Sequence, residues 1–149
     1  MKRFKTKKNK GPVRSKKSTA DGIEFRSGLE KNTYLALKEA GLFEMYEKEV
    51  FKTLEGFTFP NISIEKQTNG KGELKNRGSK KVLGIKYTPD FTGYDYICEC
   101  KGRANESFPV RYKLFKRWLV KNKDTRTLYK PQNQKDIEET IKLILDGRK

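Results

Sequence analysis

The chain has 149 residues, enough for one domain with a buried core, although only 34% of them are apolar. Lysine and arginine number 35 against 19 acidic residues, a net charge of +16 that points to polyanionic partners, nucleic acid first among them. No apolar run reaches membrane-spanning length, no hydrophobic segment follows the basic opening as a secretory signal would require, and the basic tail lacks an interfacial apolar face.

A cytoplasmic protein without a membrane partner is therefore expected. The charge alone does not separate catalysis from ribosomal-type structural binding. Histidine is absent, which excludes His-metal nucleases and Ser-His or Cys-His hydrolases. The two cysteines, Cys98 and Cys100, are too close for an unstrained disulfide and too few for a structural zinc site. They read as small buried residues in a reducing compartment. Any enzymatic work would rest on carboxylates and lysine.

Residues 1–17 hold nine Lys/Arg and no acid, so a flexible phosphate-binding arm is expected over residues 1–20, with the folded domain over 21–149. Ser27-Gly28-Leu29-Glu30 has the S-x-x-E form of a capping box and should open a helix. Leu29, Thr33, Ala36, Leu37 and Ala40 follow at helical spacing, and Gly41 suits the stop. Strands are expected over 46–54 and 58–66, and a flexible loop or the tip of a long hairpin over 67–81. The clearest strands are 82–91 and 96–101, joined by a short turn. Helix 110–121 should turn Leu114, Phe115, Trp118 and Leu119 inward and leave Lys113, Lys116 and Arg117 for solvent or phosphate. A short strand over 125–129 and a helix over 134–146, with Ile137, Ile141, Ile144 and Leu145 inward, complete the chain. The order αβββαβ plus a C-terminal helix predicts an α/β fold, a mixed central sheet flanked by helices.

The chemistry concentrates in two adjacent strands. Asp90 follows Pro89 in one, and Glu99 and Lys101 lie in the next. Period-2 geometry places Glu99 and Lys101 on one face and both cysteines on the other, while the tight hairpin brings Asp90 beside Glu99. Two adjacent carboxylates repel unless a cation lies between them. Magnesium suits such hard oxygen donors, with manganese expected to substitute; it polarises a phosphate and activates water. Lys101 would hold that water or stabilise charge on the phosphate, and the Cys100 carbonyl is a candidate further ligand. No small-molecule cofactor is called for. The bland alternative is a hairpin with an exposed ion pair.

Pro89-Asp90 and Glu99-Cys100-Lys101 resemble the PD-(D/E)xK nuclease signature. Phe25-Arg26-Ser27-Gly28-Leu29-Glu30, then a helix, a strand, Tyr87-Thr88-Pro89-Asp90-Phe91 and Glu99-Cys100-Lys101-Gly102, is similar to the phage-type endonuclease I group of four-way-junction resolvases. Asp21-Gly22-Ile23-Glu24-Phe25 and the Phe115-bearing helix resemble small phage nucleases of the same superfamily. The resemblance covers about residues 22–128. It implies a restriction-endonuclease-like core and a magnesium-dependent DNA endonuclease selective for branched DNA, such as a Holliday-junction resolvase in phage replication or recombination. It also implies a homodimer, working in the host cytoplasm if phage-encoded. Glu30 would then complete the metal site with Asp90 and Glu99; its local alternative is the capping box. Arg26, Ser27, Arg103, Lys113, Lys116 and Arg117 are the side chains expected on the nucleic acid. Residues 61–84 form a longer connection than the resolvases use where those enzymes exchange segments, which leaves a segment-swapped dimer open. Two other functions fit: the same catalysis on linear or site-specific DNA, and nucleic-acid binding without catalysis.

Overall fold

The computed structural model describes residues 15–149, so most of the expected basic arm lies outside the described residues. The end of that arm belongs to the folded body: Ser18–Ala20 form strand β1, paired antiparallel with β2 (Ile23–Phe25). Asp21 and Gly22, at φ 49° and 77°, make the two-residue turn, where left-handed backbone matches the strand twist. Helix α1 (Gly28–Glu39) follows, capped by Ser27, and Gly41 at φ 68° carries the chain out of it.

The next stretch is more broken than the residue pattern predicts. The expected strand over 46–54 divides into β3 (Met45–Tyr46) and β4 (Phe51–Leu54), which belong to different sheets. Glu47 is the cause, because it sits at φ 46° and turns the chain between them. The span 58–66 divides into β5 (Phe57–Phe59) and β6 (Ile64–Glu65), with Pro60 between. Strands β7 (Lys75–Asn76), β8 (Lys80–Val82) and β9 (Ile85–Tyr87) return along the same path, pairing β6, β5 and β4 in turn. Residues 51–87 are thus one long antiparallel ribbon in three paired segments. Gly56 and Gly84 cross at its first break, where a Cβ on Gly84 would collide with the Leu54 carbonyl.

After the ribbon come β10 (Phe91–Thr92), β11 (Tyr96–Cys98), α2 (Phe108–Lys121), β12 (Thr127–Tyr129) and α3 (Gln134–Gly147). Strands β12, β11, β10 and β3 form a four-stranded mixed sheet in that order, with only β11 and β12 parallel. The molecule is therefore mixed α/β. Alternation along β11 distributes its residues between two cores. Tyr96, Cys98 and Cys100 join Phe25, Tyr34, Leu37 and Ile144 beneath α1 and α3. Ile97 points the other way, into a core with Phe115 and Leu119 of α2.

Two helix details differ from expectation. Helix α2 starts at Phe108, with Pro109 in its first turn, and its buried seam is Phe108, Tyr112, Phe115 and Leu119. Leu114 and Trp118 are half-buried at its edges. In α3 the buried seam is Ile137, Thr140 and Ile144, with Ile141 beside it, and Leu145 is exposed. Among the described residues no helix is long and apolar enough to cross a membrane.

Candidate active site

The β10–β11 hairpin registers Phe91 against Cys98, so the next positions outward are Asp90 and Glu99. Both chains leave regular pairing there, but the β11 side stays anchored. The Glu99 and Lys101 N–H groups donate to the carbonyls of Tyr129 and Pro131 at 3.0 and 3.1 Å. The Cys100 N–H turns the other way and donates to Asp90 Oδ2 at 2.6 Å. Glu99 and Lys101 share the α2 side, while Cys100 Sγ contacts Thr33 Oγ1 on α1.

A cleft of about 380 Å³ opens where these elements meet. Glu30, Asp90, Glu99, Cys100 and Lys101 all line it, drawn from α1, the hairpin and the run after β11. Asp90 and Glu99 are only 8% and 7% exposed, which is not the state of a solvated ion pair. Lys101 forms no ion pair among the described residues; its Nζ lies 4.7 Å from the centre of the Phe108 ring.

Burial and the negative charges of Glu99 and Glu30 push the Asp90 carboxyl up to about 8, against the Cys100 N–H, which favours its ionised form. Glu99 is also raised by burial, opposed by the Tyr87 hydroxyl and by the Lys101 and Arg111 charges. The Tyr87 hydroxyl is the donor nearest to acting on it, yet among the described residues neither that hydroxyl nor Glu99 Oε2 completes a well-formed hydrogen bond. A buried carboxylate oxygen without a well-formed donor is costly, and a cation placed beside it would offset that cost. The acids lining the cleft, Glu30, Glu47, Asp90 and Glu99, offer carboxylate oxygens of the kind a hard divalent ion prefers, beside the cations Arg26, Lys101 and Arg111.

Glu30 has two roles at once. It is the N3 residue of α1, its N–H bonds Ser27 Oγ at 3.2 Å, and its carboxylate accepts from Ser27 Oγ and from the Arg26 N–H. The Ser27 half of the capping box is therefore formed, while the returning carboxylate bonds one residue earlier, at the Arg26 N–H. Its Oε2 also accepts the Tyr46 hydroxyl at 2.8 Å, so protein donors reach both oxygens of Glu30 while it borders the cleft. Among the described residues no three acidic or thiol side chains are gathered as a ready metal cage. Asp90 and Glu99 are the pair that fits an ion, with Glu30 one layer out.

Residue patterns alone missed several members of the cleft. Glu47 enters through the β3–β10 pairing: its N–H donates to the Asp90 carbonyl at 2.8 Å, and its carboxylate meets Arg26 Nε at 3.1 Å. Two residues on, Glu49 takes both Nη groups of Arg126 at 2.8 Å. Tyr87, Asn105 and Arg111 line the cleft as well. Tyr87 stands at the start of the run ending in Asp90, a signal that was available; nothing local marks Glu47 or Arg111.

The expected nucleic-acid contacts divide. Arg26 lines the cleft, and Ser27 and Arg103 border a shallower adjoining pocket. Lys113, Lys116 and Arg117 lie on α2 away from the cleft: Lys116 Nζ sits 4.8 Å over the Tyr112 ring, and Arg117 borders a groove between α2 and β4.

Comparison of the chain with protein-family models, with curated proteins and with solved structures returned no match.

Proposed function

We propose that the protein is a divalent-metal-dependent nuclease of the PD-(D/E)xK type that hydrolyses phosphodiester bonds in DNA. One observation carries the reading: Asp90 and Glu99 meet in a cleft with Lys101 and Glu30, and a buried Glu99 oxygen there has no well-formed hydrogen bond among the described residues. A sheet with α1 and α3 on one face and α2 on the other supports a restriction-endonuclease-like core.

Asp90 and Glu99 are the residues to hold magnesium or manganese, which supplies positive charge to the phosphate and activates water. Lys101, held over the Phe108 ring, brings a cation to charge developing on the phosphate oxygens. Arg26 and Arg111 line the same cleft and are placed to hold the flanking phosphates, fixing position without reading sequence. Glu30 and Glu47 add negative charge around the pair and favour occupation by a cation. Branched DNA as substrate, a homodimer and a host-cytoplasm setting are the finer form of this proposal and rest on the resemblance of the run from Phe25-Arg26-Ser27-Gly28-Leu29-Glu30 through Tyr87-Thr88-Pro89-Asp90-Phe91 to Glu99-Cys100-Lys101-Gly102. A second reading, nucleic-acid binding without cleavage, draws on the +16 charge.

The test is a panel of labelled four-way, three-way, flap and linear DNAs incubated with Mg²⁺ or with EDTA. The proposal expects metal-dependent cutting that Asp90→Ala, Glu99→Ala and Lys101→Ala each abolish while binding persists. Undiminished cutting by Asp90→Ala refutes the site. Tight binding without cutting of any DNA by the unmutated protein favours the second reading.

A further inference from the structure

The ribbon over residues 51–87 is too long to serve only as a connection between β3 and β10. It carries eight Lys/Arg against three glutamates. Its root forms a wall of the cleft, since Tyr87 and Thr88 line it, and Arg111 of the cleft donates to the Lys86 carbonyl at 2.9 Å. At that root Phe51 pairs Tyr87 in register, and both are buried against α2. The next pair, Lys52 and Lys86, therefore projects from the opposite face.

Lysines directly opposite one another repel, and a sheet places them so at a cost in stability. Among the described residues neither forms an ion pair. Lys81 joins them: all three border one concavity of about 550 Å³ beside the Gly56–Gly84 crossing, and Glu55 is the acid that shares it. A face of three lysines against one glutamate, rooted beside the proposed nuclease cleft, fits a polyanion that extends beyond the cleft.

We infer that Lys52, Lys81 and Lys86 form a second nucleic-acid contact, in which the ribbon holds the phosphate backbone of duplex DNA flanking the cleft. The inference rests on the nuclease reading for the identity of the polyanion. The ribbon's strands pair only with one another, and Lys52 also borders the groove that holds Arg117 and Lys121 of α2, so the contact continues from that helix onto the ribbon. A two-stranded ribbon is also narrow enough to follow a duplex groove.

The test is fluorescence anisotropy with a labelled duplex in EDTA, over a salt series, so that no cutting intervenes. Lys52→Gln/Lys86→Gln should weaken binding about tenfold or more at moderate salt and flatten the log–log salt slope by about two, the expectation for two lost phosphate contacts. A charge-matched control, Lys135→Gln/Lys142→Gln on α3, should leave both unchanged. The ribbon variant should melt at or above the parent temperature, since a repulsive pair is gone. An unchanged slope in the ribbon variant, or an equal loss in the control, overturns the contact. Cutting in Mg²⁺ is read in parallel. If the parent protein never cuts but the ribbon variant loses its slope, the nuclease reading fails and the contact stands; cutting with an unchanged slope gives the reverse.

Discussion

The Asp90 carboxylate accepts the backbone N–H of Cys100 at 2.6 Å, where β10 and β11 run out of paired residues. That bond fixes the acid opposite Glu99 and favours its ionised form. Burial and neighbouring carboxylates work against it, and the result is an acid pushed up to about 8. The hairpin thus holds together two groups that repel each other when both are charged. A divalent cation bound between them would relieve that repulsion.

The first prediction follows by linkage. The folded state raises Asp90 from the ordinary 3.8 to about 8, so folded protein keeps a proton that the unfolded chain releases. Without metal, this group's contribution to stability is lost as pH rises from about 4 to about 8. Asp90→Asn removes it and retains an oxygen for the Cys100 N–H. Melting curves in EDTA should place the variant progressively above the parent as pH rises from 5 to 8. Parallel curves would show that the carboxyl is not held as described.

Lys101 is tested by Lys101→Met, which keeps an apolar stem over Phe108 and removes the charge. Cleavage should fall by about a hundredfold or more, the usual cost of losing one group that stabilises transition-state charge. Duplex affinity should stay close to the parent, read by anisotropy in EDTA. A large loss of affinity with little change in turnover would make Lys101 a binding residue instead.

Glu30 is separated from its cap by two variants. Ser27→Ala removes the N-cap hydroxyl and should cost about 1 kcal/mol of stability while leaving the acid in place. Glu30→Gln retains an oxygen for the Tyr46 and Arg26 donors but not the charge. Thermal melts and cleavage rates together should show Ser27→Ala lowering stability more and Glu30→Gln lowering activity more. Full activity in Glu30→Gln would reduce the residue to its capping role.

How much of this was legible in the residues depends on sequence distance. Asp90, Glu99 and Lys101 are joined by one short turn, so period-2 alternation suffices to place them together, and the Ser27 cap is a local signal. Glu47 and Arg111 reach the cleft only through the β3–β10 pairing and the docking of α2, which no short pattern encodes. The long hairpin expected around residues 67–81 is present, but its breaks are not legible, for a related reason. Gly56, Pro60 and Gly84 interrupt strands whose composition is otherwise continuous, and the pairing partners lie far apart in the chain. In α3, Thr140 takes the buried position between Ile137 and Ile144, and Leu145 falls outside that seam. Hydrophobicity alone had ranked them the other way.

The hairpin itself is tested at Gly93. It is buried, and an added Cβ would overlap the Tyr96 ring, which cannot swing aside because it is fully buried and its hydroxyl donates to the Leu42 carbonyl at 2.9 Å. Gly93→Ala should destabilise by about 1–3 kcal/mol, as overpacking does, and urea titration measures it. A neutral effect would mean that the turn before β11 is not packed as described.

The central claim is that Asp90 and Glu99 together hold a divalent cation. Anomalous scattering from crystals soaked in Mn²⁺ tests it most directly. The account predicts a manganese peak within coordinating distance of both carboxylates in the parent protein, lost in Asp90→Asn/Glu99→Gln. Two carboxylates with no manganese between them, in a crystal where the cleft is open to solvent, would contradict it.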